Sequence, residues 1–189
     1  MWEDTQKQIQ GFAGAVYKSF ESQAEAELAW KNMGWLRSIT SSVSGQKATS
    51  KRKTKPPAGP FVIVDASSRG VPGPAEYQGF LMPDRKPLFS MDIGFANNNL
   101  GEFLGIVHAL ALMYKQESNL PVYSDSTTAM SWVRHKKVKS ELPRTPKTQT
   151  AWDLVDRALI WLNTHTYQNP VLKWETESWG ENPADYGRK

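Results

Sequence analysis

The sequence predicts an α/β protein whose main domain is a mixed five-stranded sheet flanked by helices, preceded by a small partial module and a linker. Two observations support this. After Pro60, short β-rich segments alternate with segments of helical period. Before it, residues 38–60 lack hydrophobic periodicity and are rich in Ser, Thr, Lys, Pro and Gly. We therefore divide the chain into residues 1–37, a flexible basic linker at 38–60, and a domain at 61–189.

Three antiparallel strands are predicted to open the main domain. Residues 61–64 form a continuous apolar run, and two further strand-like segments, 76–82 and 87–93, are separated by the turn-forming sequence Pro-Asp-Arg. From Leu100, apolar residues recur at helical spacing and predict a helix to residue 116. The remaining predicted elements are a strand at 121–123, helices at 126–134 and 148–163, a strand at 171–174 and a short helix at 182–187. We summarise the order as βββαβαβα.

The composition excludes several classes of protein. The 189 residues include no Cys, so disulfide frameworks, zinc fingers and thiol chemistry are ruled out, and a metal ion would need carboxylates or the three histidines. No apolar run approaches the roughly 20 residues of a membrane span, and the first twenty residues are too polar for a signal peptide. We expect a soluble cytoplasmic protein that does not contact membranes.

The excess of positive charge lies at the front of the chain. Residues 1–60 hold nine Lys or Arg against five Asp or Glu, whereas the remainder is neutral. The basic run at 51–55 is interpreted as part of a solvated linker, with a targeting signal or a phosphate-contacting tether as the alternatives.

Four acids stand at comparable positions in the predicted elements. Asp65 is placed at the end of the first strand, Glu102 at the start of the first helix, Asp125 after the fourth strand, and Asp185 in the last helix. Each has a simpler explanation: a turn for Asp65, a capping box with Asn99 for Glu102, a helix cap for Asp125, and a helix N-terminus for Asp185. Four unrelated caps would have no reason to converge on one edge of the sheet.

Convergence of these acids would serve a chemical purpose. Clustered carboxylates raise one another's pKa and persist mainly when cations neutralise them, and Mg²⁺ prefers oxygen ligands. Two such ions about 3.5–4 Å apart can activate a water molecule and stabilise the leaving oxygen of a phosphodiester. The acids therefore favour magnesium-dependent chemistry.

Four motifs carry a resemblance to a known family. They are residues 61–67 (FVIVDAS), 97–104 (NNNLGEFL), 123–129 (YSDSTTA) and 181–189 (ENPADYGRK). In this order they resemble the successive motifs of type 1 ribonuclease H, over residues 61–189. The C-terminal motif is most similar to the bacterial subgroup that includes the Bacillus halodurans enzyme, whose members lack a basic protrusion. The resemblance implies a ribonuclease H-like fold.

The resemblance also implies an activity and its catalytic residues. It implies endonucleolytic hydrolysis of the RNA strand of an RNA/DNA hybrid with two Mg²⁺ ions, for which Mn²⁺ can substitute, giving 5′-phosphate and 3′-hydroxyl ends. Asp65, Glu102, Asp125 and Asp185 match the metal-binding acids, with Asp65 bridging both ions. Glu181 matches the glutamate that this subgroup uses beside the second metal ion, in product release.

Substrate contacts are implied on both strands of the hybrid. The residues that match RNA-side contacts are Ser68, Gly70, Asn98 and Glu102. The residues expected to grip a DNA phosphate are Asn97, Asn99, Ser140 and Thr176. The chain departs from the family at Val71, where asparagine is usual, at Asn97, where threonine is common, and at Glu141, where the subgroup often has threonine. Because a carboxylate would repel a phosphate, we expect Glu141 to point outward.

The remaining chemically active side chains are assigned structural roles. His108, His135 and His165 fall outside the motifs, so packing or solvent contact is expected rather than catalysis. Trp174 and Trp179 flank the segment before Asp185, and either shape it or pack in the core.

Residues 2–30 resemble the later part of the hybrid-binding domain that precedes the catalytic domain in many family members. The strand pair that normally opens that domain is missing, so we expect a truncated module. Trp2 and Lys18 match residues that contact the DNA strand, although Ser19 replaces a second expected lysine. About thirty residues hardly support a core, so we expect this module to be poorly ordered or docked elsewhere.

Two other functions remain open at this point. Another nuclease of the same superfold is one, because fold does not determine substrate. A non-catalytic hybrid-binding protein is the other, although pure binding would gain nothing from a repulsive cluster of acids. The resemblance further implies a monomer with no obligate protein partner.

Overall fold

The computed structural model describes residues 55–187, which form a five-stranded mixed sheet with helices packed against it. The strands are β1 (Phe61–Ser68), β2 (Gly73–Met82), β3 (Lys86–Ala96), β4 (Val122–Ser124) and β5 (Val171–Lys173). The helices are α1 (Asn98–Lys115), α2 (Thr127–His135), α3 (Gln149–Thr164) and α4 (Thr176–Trp179). The strand order is β3-β2-β1-β4-β5, with β1, β2 and β3 antiparallel and β4 and β5 parallel to β1.

This topology confirms the predicted mixed sheet of the ribonuclease H-like fold. All five predicted strands are present, as are the three longer helices, with ends that differ by a few residues. Along the chain, two helices, α2 and α3, separate β4 from β5, so the full order of elements is βββαβααβα. None of the helices in residues 55–187 is long and apolar enough to span a membrane.

The predicted helix at 182–187 is wrong, because this segment forms a turn. The Asn182 side chain accepts a hydrogen bond from the Ala184 NH at 2.9 Å, and the Asn182 carbonyl accepts one from the Asp185 NH at 2.8 Å. A segment of six residues gains too few helical hydrogen bonds to offset nucleation, so these local bonds prevail. A short helix, α4, lies just before it and was not predicted.

Strand β1 is the centre of the fold because both of its faces are covered. Val62, Val64 and Ala66 belong to the larger core, which is closed by α1 and α3, whereas Phe61 and Ile63 belong to a second cluster. Burial on both faces explains why this strand is a continuous apolar run rather than an alternating one.

Helix α1 lies very close to β1, and a glycine makes this possible. A Cβ atom added at Gly101 would lie 2.7 Å from the Ala66 Cβ, whereas one added at Gly105 would lie 3.5 Å from the Val64 Cβ. The first distance is a clash and the second an ordinary contact. The close approach at Gly101 brings the neighbouring side chain of Glu102 against the backbone of β1.

We predict that Gly101→Ala destabilises the protein and that Gly105→Ala does not. The first substitution should lower the free energy of unfolding by about 1–3 kcal/mol, because the helix must move away from the strand. The second should be neutral or stabilising by up to about 1 kcal/mol, because alanine favours helix. Thermal and urea unfolding of both variants measure this. Equal stability of the two would contradict the proposed close contact.

Candidate active site

Three carboxylates from three different elements meet at one edge of the sheet. Asp65 lies in β1, Glu102 lies in α1, and Asp125 directly follows β4. One carboxylate oxygen of each lies within 4.8 Å of the others. Because β1 and β4 are parallel neighbours, their carboxyl ends meet at the same edge. The expected convergence is therefore confirmed for these three acids.

Asp65 lies within β1 rather than at its end. The strand continues to Ser68, and Asp65 is paired with Gln78 of β2. The alternative explanation, a turn beginning at Asp65, is therefore wrong. The strand holds this carboxylate in a fixed place, with only 8% of the residue exposed.

Glu102 is buried and bridges two strands. Its Oε1 atom accepts a hydrogen bond from the Ala66 NH and its Oε2 atom one from the Ser124 hydroxyl, both at 3.3 Å. The capping-box alternative with Asn99 is wrong, because the helix cap is Asn97, whose Oδ1 accepts from the Leu100 NH at 3.0 Å. Glu102 is thus free of a capping role and faces the sheet.

Asp125 is also not a helix cap. The cap of α2 is Ser126, whose hydroxyl accepts from the Ala129 NH at 3.2 Å. The Asp125 Oδ1 atom lies 3.4 Å from the side-chain Nδ2 atom of Asn182. The backbone carbonyl of Asp125 accepts a hydrogen bond from Lys173 Nζ at 3.0 Å.

Asp185 lies in the turn after Pro183 and is outside the group of three acids. The explanation as a helix N-terminus is wrong, since no helix forms there. Its carboxylate accepts from the Gly187 NH at 3.1 Å, and its charge contributes to the raised pKa of Asp65. Glu181 is exposed on the same segment, four residues earlier.

Burial and mutual repulsion raise the pKa values of Asp65 and Glu102. The pKa of Asp65 is raised to about 6, mainly by burial and also by the charges of Asp125 and Asp185, against a hydrogen bond with Glu102 that lowers it. Burial, followed by the charge of Asp65, raises the pKa of Glu102 well above its usual range. An all-oxygen donor set of this kind fits a hard divalent cation, which would remove the repulsion.

An aromatic cluster holds the segment that carries Asp185. Trp174 is buried with Phe61 and Tyr123, and its indole NH donates to the Gly180 carbonyl at 3.0 Å. Trp179 packs edge-on against Trp174 with ring centroids 5.0 Å apart. Trp174 therefore combines both roles considered for it, because it packs in the second core and also shapes the loop.

Two polar side chains that hold the segment around Asp185 in place were not predicted from the sequence. The Gln78 amide donates to the Ala184 carbonyl at 2.6 Å, and the buried Asn182 side chain links the segment to β1 and Asp125. Gln78 carries no motif that would have indicated this role. The Asn-Pro pair at 182–183 was visible in the sequence, but it was interpreted as a helix start.

The proposed phosphate-gripping residues are partly brought together. Asn97 Nδ2 donates to the Ser140 hydroxyl at 3.2 Å, which joins the start of α1 to the segment after α2. Asn99 is exposed as the second residue of α1, and Thr176 begins α4 on a different segment. Glu141 is exposed, as expected for a side chain that points outward.

Of the proposed RNA-side residues, Ser68 ends β1, Gly70 lies in the connection to β2, and Asn98 and Glu102 lie in the first turns of α1. The Ser68 hydroxyl donates to the carbonyls of Gly70 at 2.5 Å and Ala96 at 3.2 Å, and Asn98 is exposed at the start of α1. Val71 is 91% exposed. Trp2 and Lys18 lie outside the described residues.

The histidines sit in packing environments or away from the acids. His108 stacks on Phe89 with ring centroids 4.0 Å apart, and its Nδ1 atom lies 3.1 Å from the Tyr77 hydroxyl. His165 stacks on Trp161 with ring centroids 5.0 Å apart. His135 is exposed at the end of α2. These contacts agree with the structural roles expected for the three residues.

Comparison with known proteins gives one family match and several structural similarities. Residues 1–30 match the family model described as the Ribonuclease H1 N-terminal domain. A ribonuclease H1 from Halobacterium salinarum shares 17% identity, with 64% of this chain and 86% of that chain covered and a TM-score of 0.40. A ribonuclease H1 isolated from compost shares 20% identity, with 62% and 85% covered and a TM-score of 0.43.

A third similar structure is the N-terminal ribonuclease H domain of a Mycobacterium tuberculosis protein. It shares 23% identity, with 64% of this chain and 86% of that chain covered and a TM-score of 0.38. These identities and TM-scores are low, so the fold assignment depends on the strand order and connections of the chain itself. The resemblance to type 1 ribonuclease H therefore holds in two parts of the chain, as a family-model match at residues 1–30 and as a ribonuclease H-like fold in residues 61–187.

Proposed function

We propose that the protein is an endoribonuclease that hydrolyses the RNA strand of RNA/DNA hybrids and leaves 5′-phosphate and 3′-hydroxyl ends. The observation that carries this proposal is the meeting of Asp65, Glu102 and Asp125, whose oxygens lie within 4.8 Å of one another at one edge of the sheet. Packing three repelling groups together is unfavourable unless a cation binds there. Asp65 and Asp125 lie toward the carboxyl ends of two parallel strands, which is where ligands commonly bind to such sheets.

The proposed cofactor is a pair of Mg²⁺ ions, with Mn²⁺ as a substitute. Asp65, Glu102, Asp125 and Asp185 would hold the ions, since the first three meet in one cluster and the charge of Asp185 acts on Asp65. When bound, such ions lower the pKa of a water molecule and stabilise the leaving oxygen of a phosphodiester. The role of the protein is to hold the carboxylates rigidly, which the strand and the helix both do. Glu181, exposed on the segment before Asp185, is proposed to act in product release.

The proposed substrate surface lies next to the acids. Asn98 is exposed at the start of α1, one turn before Glu102, and its amide can bind the groove edge and 2′-hydroxyls of the RNA strand, whereas the exposed Asn99 beside it belongs to the proposed DNA-phosphate site. The hydrogen-bonded pair of Asn97 and Ser140 supports a neighbouring phosphate site on the DNA strand. Only a substrate with both kinds of strand would use both sets of contacts.

The N-terminal family match supports a second contact with the hybrid. Residues 1–30 match the Ribonuclease H1 N-terminal domain, and we assign DNA-strand contacts there to Trp2 and Lys18. The protein is further proposed to act in the cytoplasm as a monomer.

We expect the protein to cut the RNA strand of a labelled RNA/DNA hybrid in Mg²⁺ and to leave DNA and RNA duplexes intact. Asp125→Asn should lower the cleavage rate by at least about 100-fold, because the loss of one carboxylate weakens cation binding. Asp84→Asn, an exposed aspartate in the turn between β2 and β3, is the matched control and should cut at the normal rate.

Two outcomes of this cleavage assay would contradict the proposed activity. If the hybrid is bound but left intact in both Mg²⁺ and Mn²⁺, the protein is a binding module and the proposed activity is wrong. Cleavage of all three duplexes would instead indicate another nuclease of this superfold.

The raised pKa of Asp65 predicts how stability depends on pH in metal-free buffer. Its pKa in the folded protein is about 6, above the ordinary value of 3.8, so between these values the folded state holds a proton that the unfolded chain has released. The free energy of unfolding should therefore fall as pH rises from about 4 to 6, and the loss should persist above pH 6.

Asp65→Asn should remove this loss. Above pH 7 and without metal, the variant should be more stable than the wild type by about 1–3 kcal/mol, and the difference should shrink toward pH 4. Mg²⁺ should raise the melting temperature of the wild type above pH 7 and have little effect on the variant. Thermal unfolding with and without Mg²⁺ measures both. A variant less stable than the wild type across the whole pH range would refute the proposed repulsion.

A further inference from the structure

We propose that Asn182 is a positioning residue that fixes the arrangement of the acids in the candidate metal centre. This inference rests on the proposed function, because it concerns the same carboxylates. It goes beyond that function by assigning a role to a neutral side chain that would not itself touch a cation.

The side chain of Asn182 makes three contacts. One is with the carboxylate of Asp125, and the other two are with the residues that directly precede Asp65 and Asp185. Its Nδ2 atom donates to the Val64 carbonyl at 3.0 Å and lies 3.4 Å from the Asp125 Oδ1 atom. Its Oδ1 atom accepts from the Ala184 NH at 2.9 Å. Val64 directly precedes Asp65, and Ala184 directly precedes Asp185.

These contacts use the donors and the acceptor of one carboxamide. An amide group has two N–H donors and a carbonyl acceptor, and here both ends are occupied while the residue is only 4% exposed. The bonds to the two backbone groups have ordinary lengths and hold the side chain in place. The longer contact to Asp125 then orients that carboxylate without adding a charge. A lysine there would neutralise the cluster and compete with a cation.

The same side chain also sets the position of Asp185. That residue lies on a turn in which the Asp185 NH donates to the Asn182 carbonyl at 2.8 Å, and Gln78 donates to the Ala184 carbonyl at 2.6 Å. The turn is therefore attached to β1 through Asn182 and to β2 through Gln78. Loss of the Asn182 side chain would remove the attachment to β1 and leave the bonds from Gln78 and from Arg85, whose Nε donates to the Pro183 carbonyl at 3.1 Å, so that Asp185 could shift relative to Asp65.

A second buried asparagine provides a matched control. Asn169 is 5% exposed, and its Nδ2 atom donates to the carbonyls of Ser118 and Leu120 at 2.9 and 2.8 Å. These bonds join the segments that precede β4 and β5, at the end of the strands opposite to the acids. Asn169→Ala therefore removes a similar number of buried hydrogen bonds without touching the metal centre.

The test compares Asn182→Ala with Asn169→Ala in the full chain. Calorimetric titration with Mn²⁺, without nucleic acid, measures cation affinity, and thermal unfolding in metal-free buffer measures stability. We expect both variants to melt at lower temperature. Only Asn182→Ala should weaken Mn²⁺ binding, by about 10–100-fold, as is typical when a side chain that orients a metal ligand is lost. The Mg²⁺ concentration for half-maximal hybrid cleavage should rise by a similar factor.

A second variant covers the case in which Asn182→Ala does not fold. In Asn182→Ser the hydroxyl can still accept from the Ala184 NH, as serine does in turns, but it is too short to reach Asp125. It should retain the fold and still weaken Mn²⁺ binding.

The outcomes separate this inference from the proposed function. Mn²⁺ affinity in Asn182→Ala and Asn182→Ser equal to that in Asn169→Ala would overturn the role of Asn182, and hybrid cleavage by the wild type would still support the enzyme. Weakened Mn²⁺ binding in a protein that does not cut the hybrid would support the role of Asn182 and overturn the proposed activity. Failure of the wild type to bind Mn²⁺ would overturn both.

Discussion

The close packing of three carboxylates against one strand is the constraint on which the rest of the structure depends. Asp65 can hold its place only because β1 is covered on both faces. Glu102 reaches the same point because Gly101 lets α1 approach that strand. Hydrogen bonds from Ala66 and Ser124 then fix its carboxylate. The fold thus brings together groups that repel one another, at a cost in stability that a bound cation would offset.

The two hydrophobic clusters stabilise different parts of the structure. The larger cluster beneath α1 stabilises the sheet, whereas the smaller cluster around Trp174 anchors the C-terminal segment. That segment is irregular and short of backbone partners, so side chains hold it: the indole of Trp174, the amide of Gln78 and the amide of Asn182. Loops that carry functional groups often need such support from a rigid scaffold. Asp185 is the acid whose position depends most on it.

The sequence predicted the elements whose signals are local. The apolar run of β1 and the helical period of α1 identify those elements, and the convergence of Asp65 and Asp125 follows from parallel strands that end at one edge. The turn at 182–187 was missed because its Asn-Pro pair is also typical of a helix start. The local bonds of Asn182 with Ala184 and Asp185 form a turn instead, and a contact with the distant Val64 reinforces them. The capping-box alternative for Glu102 used Asn99, whereas the cap of α1 is Asn97, because three consecutive asparagines offer the same local signal.

The most direct test of the account is the location of bound cations. Crystals of the protein soaked in Mn²⁺ above pH 7, which is above the pKa of about 6 of Asp65, would be measured at the manganese absorption edge. Two ions at the proposed metal centre would give two anomalous peaks about 3.5–4 Å apart, both near Asp65 and one of them also near Asp125. Absence of any peak within coordination distance of Asp65, in crystals that diffract well enough to show ordered manganese, would refute the proposed metal centre.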